Sequence, residues 1–145
     1  KAFNKVISYS KQSAMSLSDL FCVERHKDYF LDLVKNKLDV TFANEQEIMA
    51  LIEAKSFEDV VAFAKNIQKL IVITRGENGA VAIQNNQIIK CEAKKNLNIK
   101  DLTGAGDLFA AGFLHGYINK LPLKESLEKG TELSSRVIQQ VGARL

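Results

Sequence analysis

Apolar and polar positions fall into short blocks along the chain, and the spacing within each block predicts an element. The run "AMSLSD" (14–19) reads as a short buried strand that ends in a polar cap. Residues 24–36 follow with apolar side chains at Phe30, Leu31, Leu33 and Val34, a helical stripe. "LDVTFAN" (38–44) is a strand rich in β-branched residues, closed by Asn44, a residue suited to cap a helix. A short helix over 45–53 comes next. Another is predicted over 57–68, where Phe57, Val60, Val61, Ala64 and Ile67 share one face. "LIVIT" (70–74) is almost wholly apolar, as a parallel strand covered on both faces would be. Residues 79–93 alternate around Asn85-Asn86, which predicts a hairpin. Two helices complete the pattern, over 104–119 and 123–140, with Pro122 marking the break.

Strand, helix, strand, helix, helix, strand is the order of an α/β fold with a mainly parallel sheet. No repeat, low-complexity tract or linker interrupts 1–145, so a single unit without an internal boundary is expected. Ligands of such sheets bind outside the carboxyl ends of the strands. Four polar clusters fall at those ends: Asp19, Asn44 with Glu47, Thr74-Arg75-Gly76, and the loop 101–107.

Composition narrows the classes. The chain is 46% hydrophobic and 26% charged, and its formal charge of +3 is too small to imply a nucleic-acid or membrane partner. Its apolar runs are shorter than the ~18 residues of a membrane span, and "KAFNKVISYSK" lacks the apolar core of a signal peptide. Cys22 and Cys91 stand far apart, without metal-ligand spacing, and read as reduced, inert thiols. A cytoplasmic protein is the expectation. The chain opens on Lys1 and stops after "GARL", as a processed protein or a piece of a longer one would.

The richest chemistry lies in "DLTGAGD" (101–107). Gly104 and Gly106, with small Ala105 between them, let the backbone turn tightly and bring its amides close to a ligand. The following residues, Leu108 to Tyr117, are apolar on nearly every side and predict a central, buried helix. Unpaired amides in its first turn and the positive end of its dipole would make an anion hole. The pattern is not a P-loop, because no lysine follows the glycines, nor a dinucleotide fingerprint, because position 109 is Phe. A carboxylate beside an anion hole makes sense if it moves a proton: Asp107 would deprotonate a hydroxyl while the amides stabilise a transferring phosphoryl group. A helix start relieved by glycine, with Asp107 merely favourable to the dipole, accounts for the same residues.

"DLTGAGDLFAAGF" resembles the C-terminal motif of the ribokinase-like (PfkB) family of carbohydrate and nucleoside kinases, usually D-T-x-G-A-G-D. Other stretches agree in order. "FANEQE" resembles the family's N-x-x-E element through Asn44 and Glu47, and "VITRGENGAV" its T-x-G-x-x-G segment through Thr74, Gly76 and Gly79. "VGA" (141–143) resembles the G-A of its last helix, and 16–34 is similar to the bacterial adenosine and sugar kinase branch. The resemblance spans essentially all 145 residues but only the C-terminal half of a family member.

It implies a three-layer αβα fold and ATP-dependent phosphoryl transfer to a primary alcohol of a sugar or nucleoside. Asp107 would be the base, and the amides of Gly104, Ala105 and Gly106 the anion hole. Glu47, with Asn44, would lie near Mg2+ and the ATP phosphates; Thr74, Gly76, Gly79 and Gly142 would border the nucleotide. Asp101 and Thr103 fall where many members hold a monovalent cation such as K+. Leu102 replaces the usual Thr or Ser, and Arg75 the common leucine, leaving Arg75 open to nucleotide or solvent. The N-terminal half, which supplies acceptor recognition in the family, is a missing partner. These residues alone are therefore expected to bind nucleotide without transferring phosphate, or to self-associate.

Plainer readings stand beside these. Asn44 and Glu47 have capping-box spacing, which needs no ligand. Asp19 is a turn former as readily as a magnesium ligand. His26 and His115 have no metal partners in sequence, and His115, inside an apolar helix, is expected to be a core residue. Ser134, Ser135 and Arg136 read as ordinary helix surface.

Overall fold

The computed structural model describes residues 2–144. The predicted alternation is present: β1 (Ala14–Ser16), α2 (Leu20–Arg25), α3 (Lys27–Asp32), β2 (Val40–Asn44), α4 (Glu45–Ile52), α5 (Phe57–Ile67) and β3 (Leu70–Thr74) follow an N-terminal helix α1 (Ala2–Tyr9). Then come β4 (Ala80–Gln84), β5 (Gln87–Cys91), α6 (Ala105–Ile118) and α7 (Leu123–Val137). The five strands form one sheet in the order β1-β2-β3-β4-β5. β1 and β2 run parallel, with Ala14 opposite Val40 and Ser16 opposite Phe42. β2 reaches β3 through α4 and α5, the connection parallel strands require, whereas tight turns join the last three strands.

Two compact units make up the chain. One holds the residues up to Ile73 with Ile83–Ile88, the other Thr74–Ala82 with the residues from Ile89 onward. The core of the first contains Leu17, Val23, Leu33, Val34, Leu38, Ile48 and Leu51, none of them exposed, together with the apolar run of β3.

The stripe predicted as one helix over 24–36 is instead two short helices and a π-helical turn (Leu33–Lys37). The reason lies in the caps. Asp19 Oδ1 accepts from the Cys22 amide at 2.8 Å, which starts a helix early, and His26, with φ −124° and ψ 31°, turns the backbone out of the helix after Arg25. The hairpin expectation holds: Asn85 and Asn86 have φ of 50° and 65°, the left-handed pair that a two-residue turn needs.

In the second unit α6 packs along α7. Backbones meet where side chains are absent: a Cβ on Gly112 would lie 2.6 Å from the Lys129 carbonyl oxygen, and one on Gly130 would lie 2.7 Å from that of Phe109. This corrects the expectation of a helix buried all round. Phe109, Gly112, Phe113 and Gly116 form one buried stripe, while Ala111 and His115 face solvent. The apolar outer face misled the periodicity, and His115 is not a core residue.

Candidate functional site

The loop before α6 is built by Asp101. Its Oδ1 accepts from the Thr103 amide at 2.9 Å and the Thr103 hydroxyl at 2.6 Å, and its Oδ2 accepts from the Gly142 amide at 2.9 Å. Those three donors pull the Asp101 carboxyl down to about 2, the Thr103 hydroxyl contributing most. Gly104 then caps α6 with φ 79° and ψ 0°, a left-handed conformation that suits glycine. A Cβ there would also meet the Ala143 Cβ at 2.7 Å. The Ala105 amide turns back to the Leu102 carbonyl at 3.2 Å, and the Leu108 amide bonds the Gly104 carbonyl at 2.9 Å. Between them the amides of Gly106 and Asp107 are first-turn donors without an intrahelical acceptor. Gly106 and Asp107 are both exposed.

That first turn borders a cavity of about 710 Å3, within the range of small-molecule sites. Ala105 and Gly106 line it together with Thr74, Gly76 and Gly79, so five of the site residues expected from sequence border one cavity. Gly79 is fixed by its surroundings: its φ is 81°, and a Cβ would collide with the Cys91 carbonyl oxygen. Asp101, Thr103, Gly104, Asp107 and Gly142 are not among the lining residues.

Sequence reasoning missed much of the rest. Lys94, Lys95, Asn96 and Leu97 line the cavity from a segment without helix or strand, and Leu102, Phe109 and Ile138 add apolar surface. Thr131 also borders it, as do Ser134 and Ser135, which corrects the reading of those two serines as ordinary helix surface. Ser135 is buried and donates its hydroxyl to the Thr131 carbonyl, and the Thr131 hydroxyl lies 3.6 Å from Cys91 Sγ. One advance signal was the spacing of Leu97, Ile99 and Leu102 in an otherwise polar loop.

Asn44 and Glu47 belong to the first unit and interlock. Asn44 Oδ1 accepts from the Glu47 amide at 2.8 Å, while the Glu47 carboxylate accepts from the Asn44 amide at 2.9 Å and its side-chain amide at 2.8 Å. The capping box is therefore complete, and it holds a carboxylate in a buried place. Burial raises the Glu47 pKa against the opposing effect of the Asn44 backbone bond, and the charge of Asp19 raises it further. No group of three or more His, Cys, Asp or Glu side chains suited to a metal occurs among the described residues. No helix among them is long and apolar enough to cross a membrane.

Known proteins share this fold. Over 94% of its length the chain is similar to the crystal structure of a probable sugar kinase from Rhizobium etli CFN 42, with a TM-score of 0.89 and 37% identity, covering 42% of that protein. It is similar to the adenosine kinase of Sinorhizobium meliloti over 95% of its length, with a TM-score of 0.88 and 36% identity, again covering 42% of that chain. It is also 32% identical over 120 residues to the cytidine kinase of Thermococcus kodakarensis, a match spanning 81% of this chain and 43% of that one. The chain thus spans about two fifths of the length of these relatives. The pfkB family carbohydrate kinase pattern matches residues 2–145, and with the ribokinase-like α/β fold already in place, the chain belongs to the pfkB family of carbohydrate kinases.

Proposed function

We propose that this chain carries the nucleotide-binding and phosphoryl-transfer part of a kinase acting on a primary alcohol of a sugar or nucleoside. The observation that carries the reading is the cavity walled by the first turn of α6 and by Thr74, Gly76 and Gly79. Its size and largely apolar lining fit a nucleotide, and amides without helical partners at its edge fit phosphate oxygens. Asp107, exposed in that turn, takes the proton of the acceptor hydroxyl as the oxygen attacks the γ-phosphorus of ATP and ADP departs. The Gly106 amide, with that of Gly104, stabilises the charge that develops on the phosphoryl oxygens, while the Ala105 amide is already given to the Leu102 carbonyl. Gly142 orders this loop through Asp101 rather than through the cavity wall.

Glu47 suits magnesium, which holds most of its own waters and takes one or two carboxylates. It is a buried carboxylate whose proton affinity is raised, and the nearby charge of Asp19 adds negative potential. When bound, the ion would neutralise charge on the ATP phosphates. Asp101 and Thr103 fit a monovalent cation poorly, since three protein donors already occupy the carboxylate.

The test has two arms. Calorimetry with Mg-ATP is expected to show binding to the 145-residue chain. A phosphotransfer assay with sugars and nucleosides then compares Asp107 with Asp107→Asn in the longest form of the protein that transfers phosphate. Turnover is expected to fall ~10²–10⁴-fold with ATP affinity kept. Retention of more than about a tenth of the turnover sinks the base assignment. Binding without transfer by these residues alone is the narrower reading, favoured by their spanning two fifths of the relatives' length.

A further inference from the structure

We propose that Asp101 is a positioning residue that clamps the loop 101–107 to the segment following α7, and that this clamp, not a bound monovalent cation, sets the first turn of α6. The inference rests on the phosphoryl-transfer reading above for what that turn binds.

The stitching is dense. The Lys100 amide donates to the Ile138 carbonyl at 2.8 Å, and the Asp101 amide donates to the same oxygen at 3.3 Å. Then the direction reverses. The Gly142 amide donates to Asp101 Oδ2, so backbone and side chain of one residue grip both ends of the segment 138–142. Three residues on, Gly104 packs so closely on Ala143 that a methyl group would not fit between them. Meanwhile Oδ1 folds Thr103 back through its amide and its hydroxyl, which fixes the direction in which the chain enters Gly104. The chain therefore has little freedom at the point where the Gly106 and Asp107 amides are presented.

A cation bridging this loop to the last segment would gather oxygens to a positive charge. Here one carboxylate gathers three N–H and O–H donors instead. The link between loop and C-terminal segment is made by opposite polarity, and Asp101 supplies the charge.

Nuclear magnetic resonance on the intact 145-residue chain tests this without requiring turnover. In the unsubstituted protein a coupling across the hydrogen bond should connect the Gly142 amide to the Asp101 carboxyl carbon, and that amide should exchange slowly. Asp101→Asn keeps an acceptor for Thr103 but turns an NH2 group toward the Gly142 N–H. Its Gly142 amide should exchange about tenfold faster or more, and the Gly106 and Asp107 amide signals should move although the far-ultraviolet spectrum is kept. Thr103→Val, which removes only the hydroxyl bond, should leave Gly142 protected. Absence of the coupling, or unchanged Gly106 and Asp107 signals in Asp101→Asn, overturns the proposal. So does a shift of the Asp101 carboxyl signal on adding potassium chloride but not an equal concentration of choline chloride. If Asp101→Asn does not fold, the coupling in the unsubstituted chain decides. Silence of the Gly106 and Asp107 amides toward Mg-ATP would overturn the phosphoryl-transfer reading instead, and the clamp is then judged by coupling and exchange alone.

Discussion

Two glycines separated by one residue should respond to the same methyl group with opposite signs. At Gly104 the backbone is left-handed, with φ 79°, and the added Cβ would sit 2.7 Å from the Ala143 Cβ and 3.0 Å from its Cα. The left-handed conformation costs an ordinary residue about 1–2 kcal/mol. Overpacking usually adds ~1–3 kcal/mol, and the exposed Ala143 segment can yield, so the lower end applies. Gly104→Ala is therefore expected to destabilise by about 2–3 kcal/mol, a fall in Tm of roughly 6–12 °C at this chain length. At Gly106 the added Cβ would meet nothing within 4 Å, and φ is not positive. Glycine inside a helix is worth roughly 0.5–1 kcal/mol less than alanine, so Gly106→Ala should raise Tm by about 2–4 °C. The methyl would project where Gly106 borders the cavity. The stabilised variant should thus bind Mg-ATP at least about tenfold more weakly, a loss of ~1.4 kcal/mol. Thermal unfolding with and without Mg-ATP reads both effects at once. A Gly106→Ala protein that melts lower would refute the packing argument. One that melts higher yet binds nucleotide normally would refute the assignment of this turn to phosphate.

Other positions test separate parts of the argument. Asn44→Ala removes an N-cap worth ~1 kcal/mol and strips the side-chain donor from the buried Glu47 carboxylate, a further ~1–3 kcal/mol, so about 2–4 kcal/mol should be lost in denaturant titration. The backbone donor survives the substitution only if α4 keeps its start, so the loss should sit at the upper end if helix content also falls. Asn44→Asp keeps the cap acceptor but sets a carboxylate against Glu47, and it should be no better than alanine at neutral pH; a near-native stability would contradict the described pairing. The Asp101 carboxyl titrates at about 2 in the fold against about 3.8 ordinarily, so its contribution to stability is complete above the ordinary value. It is lost as pH falls through about 2, and the acid limb of the stability curve should flatten there in Asp101→Asn. An identical acid limb in both proteins would remove the basis for a charged clamp.

What the sequence made legible was whatever depends on neighbours in the chain. Asn44 and Glu47 announce a helix start because a capping box closes within four residues, and the structure completes it. Asn85-Asn86 announces a turn because only a few residues accept positive φ twice in succession. Pro122 separates α6 from α7 for a similarly local reason. The break at His26 was not visible, since it depends on Asp19 capping a helix that the apolar stripe alone does not begin. The exposure of His115 was hidden too: α6 is apolar on most sides, and only the close approach of Gly112 and Gly116 to α7 shows which stripe is buried.

The site divides along the same line. Gly104, Gly106 and Asp107 were legible as a local motif, and a motif names a chemistry. The cavity was not, because its wall comes from Lys94–Leu97 in an irregular loop and from Thr131 to Ser135 on α7, which no period in the sequence connects. Nor was the role of Asp101. From sequence it is one of two carboxylates flanking a glycine turn, equivalent in kind to Asp107. In the fold they differ by what surrounds them: Asp101 is held by three donors, one from 41 residues away, while Asp107 stands exposed. A carboxylate consumed by the protein's own donors cannot also take a substrate proton, and an exposed one beside open amides can. That asymmetry makes Asp107 the base and Asp101 the clamp in the reading proposed here, and exchanging the two roles by mutation is not possible: an asparagine at 101 should disturb the amides, whereas one at 107 should leave them in place and remove only the proton transfer.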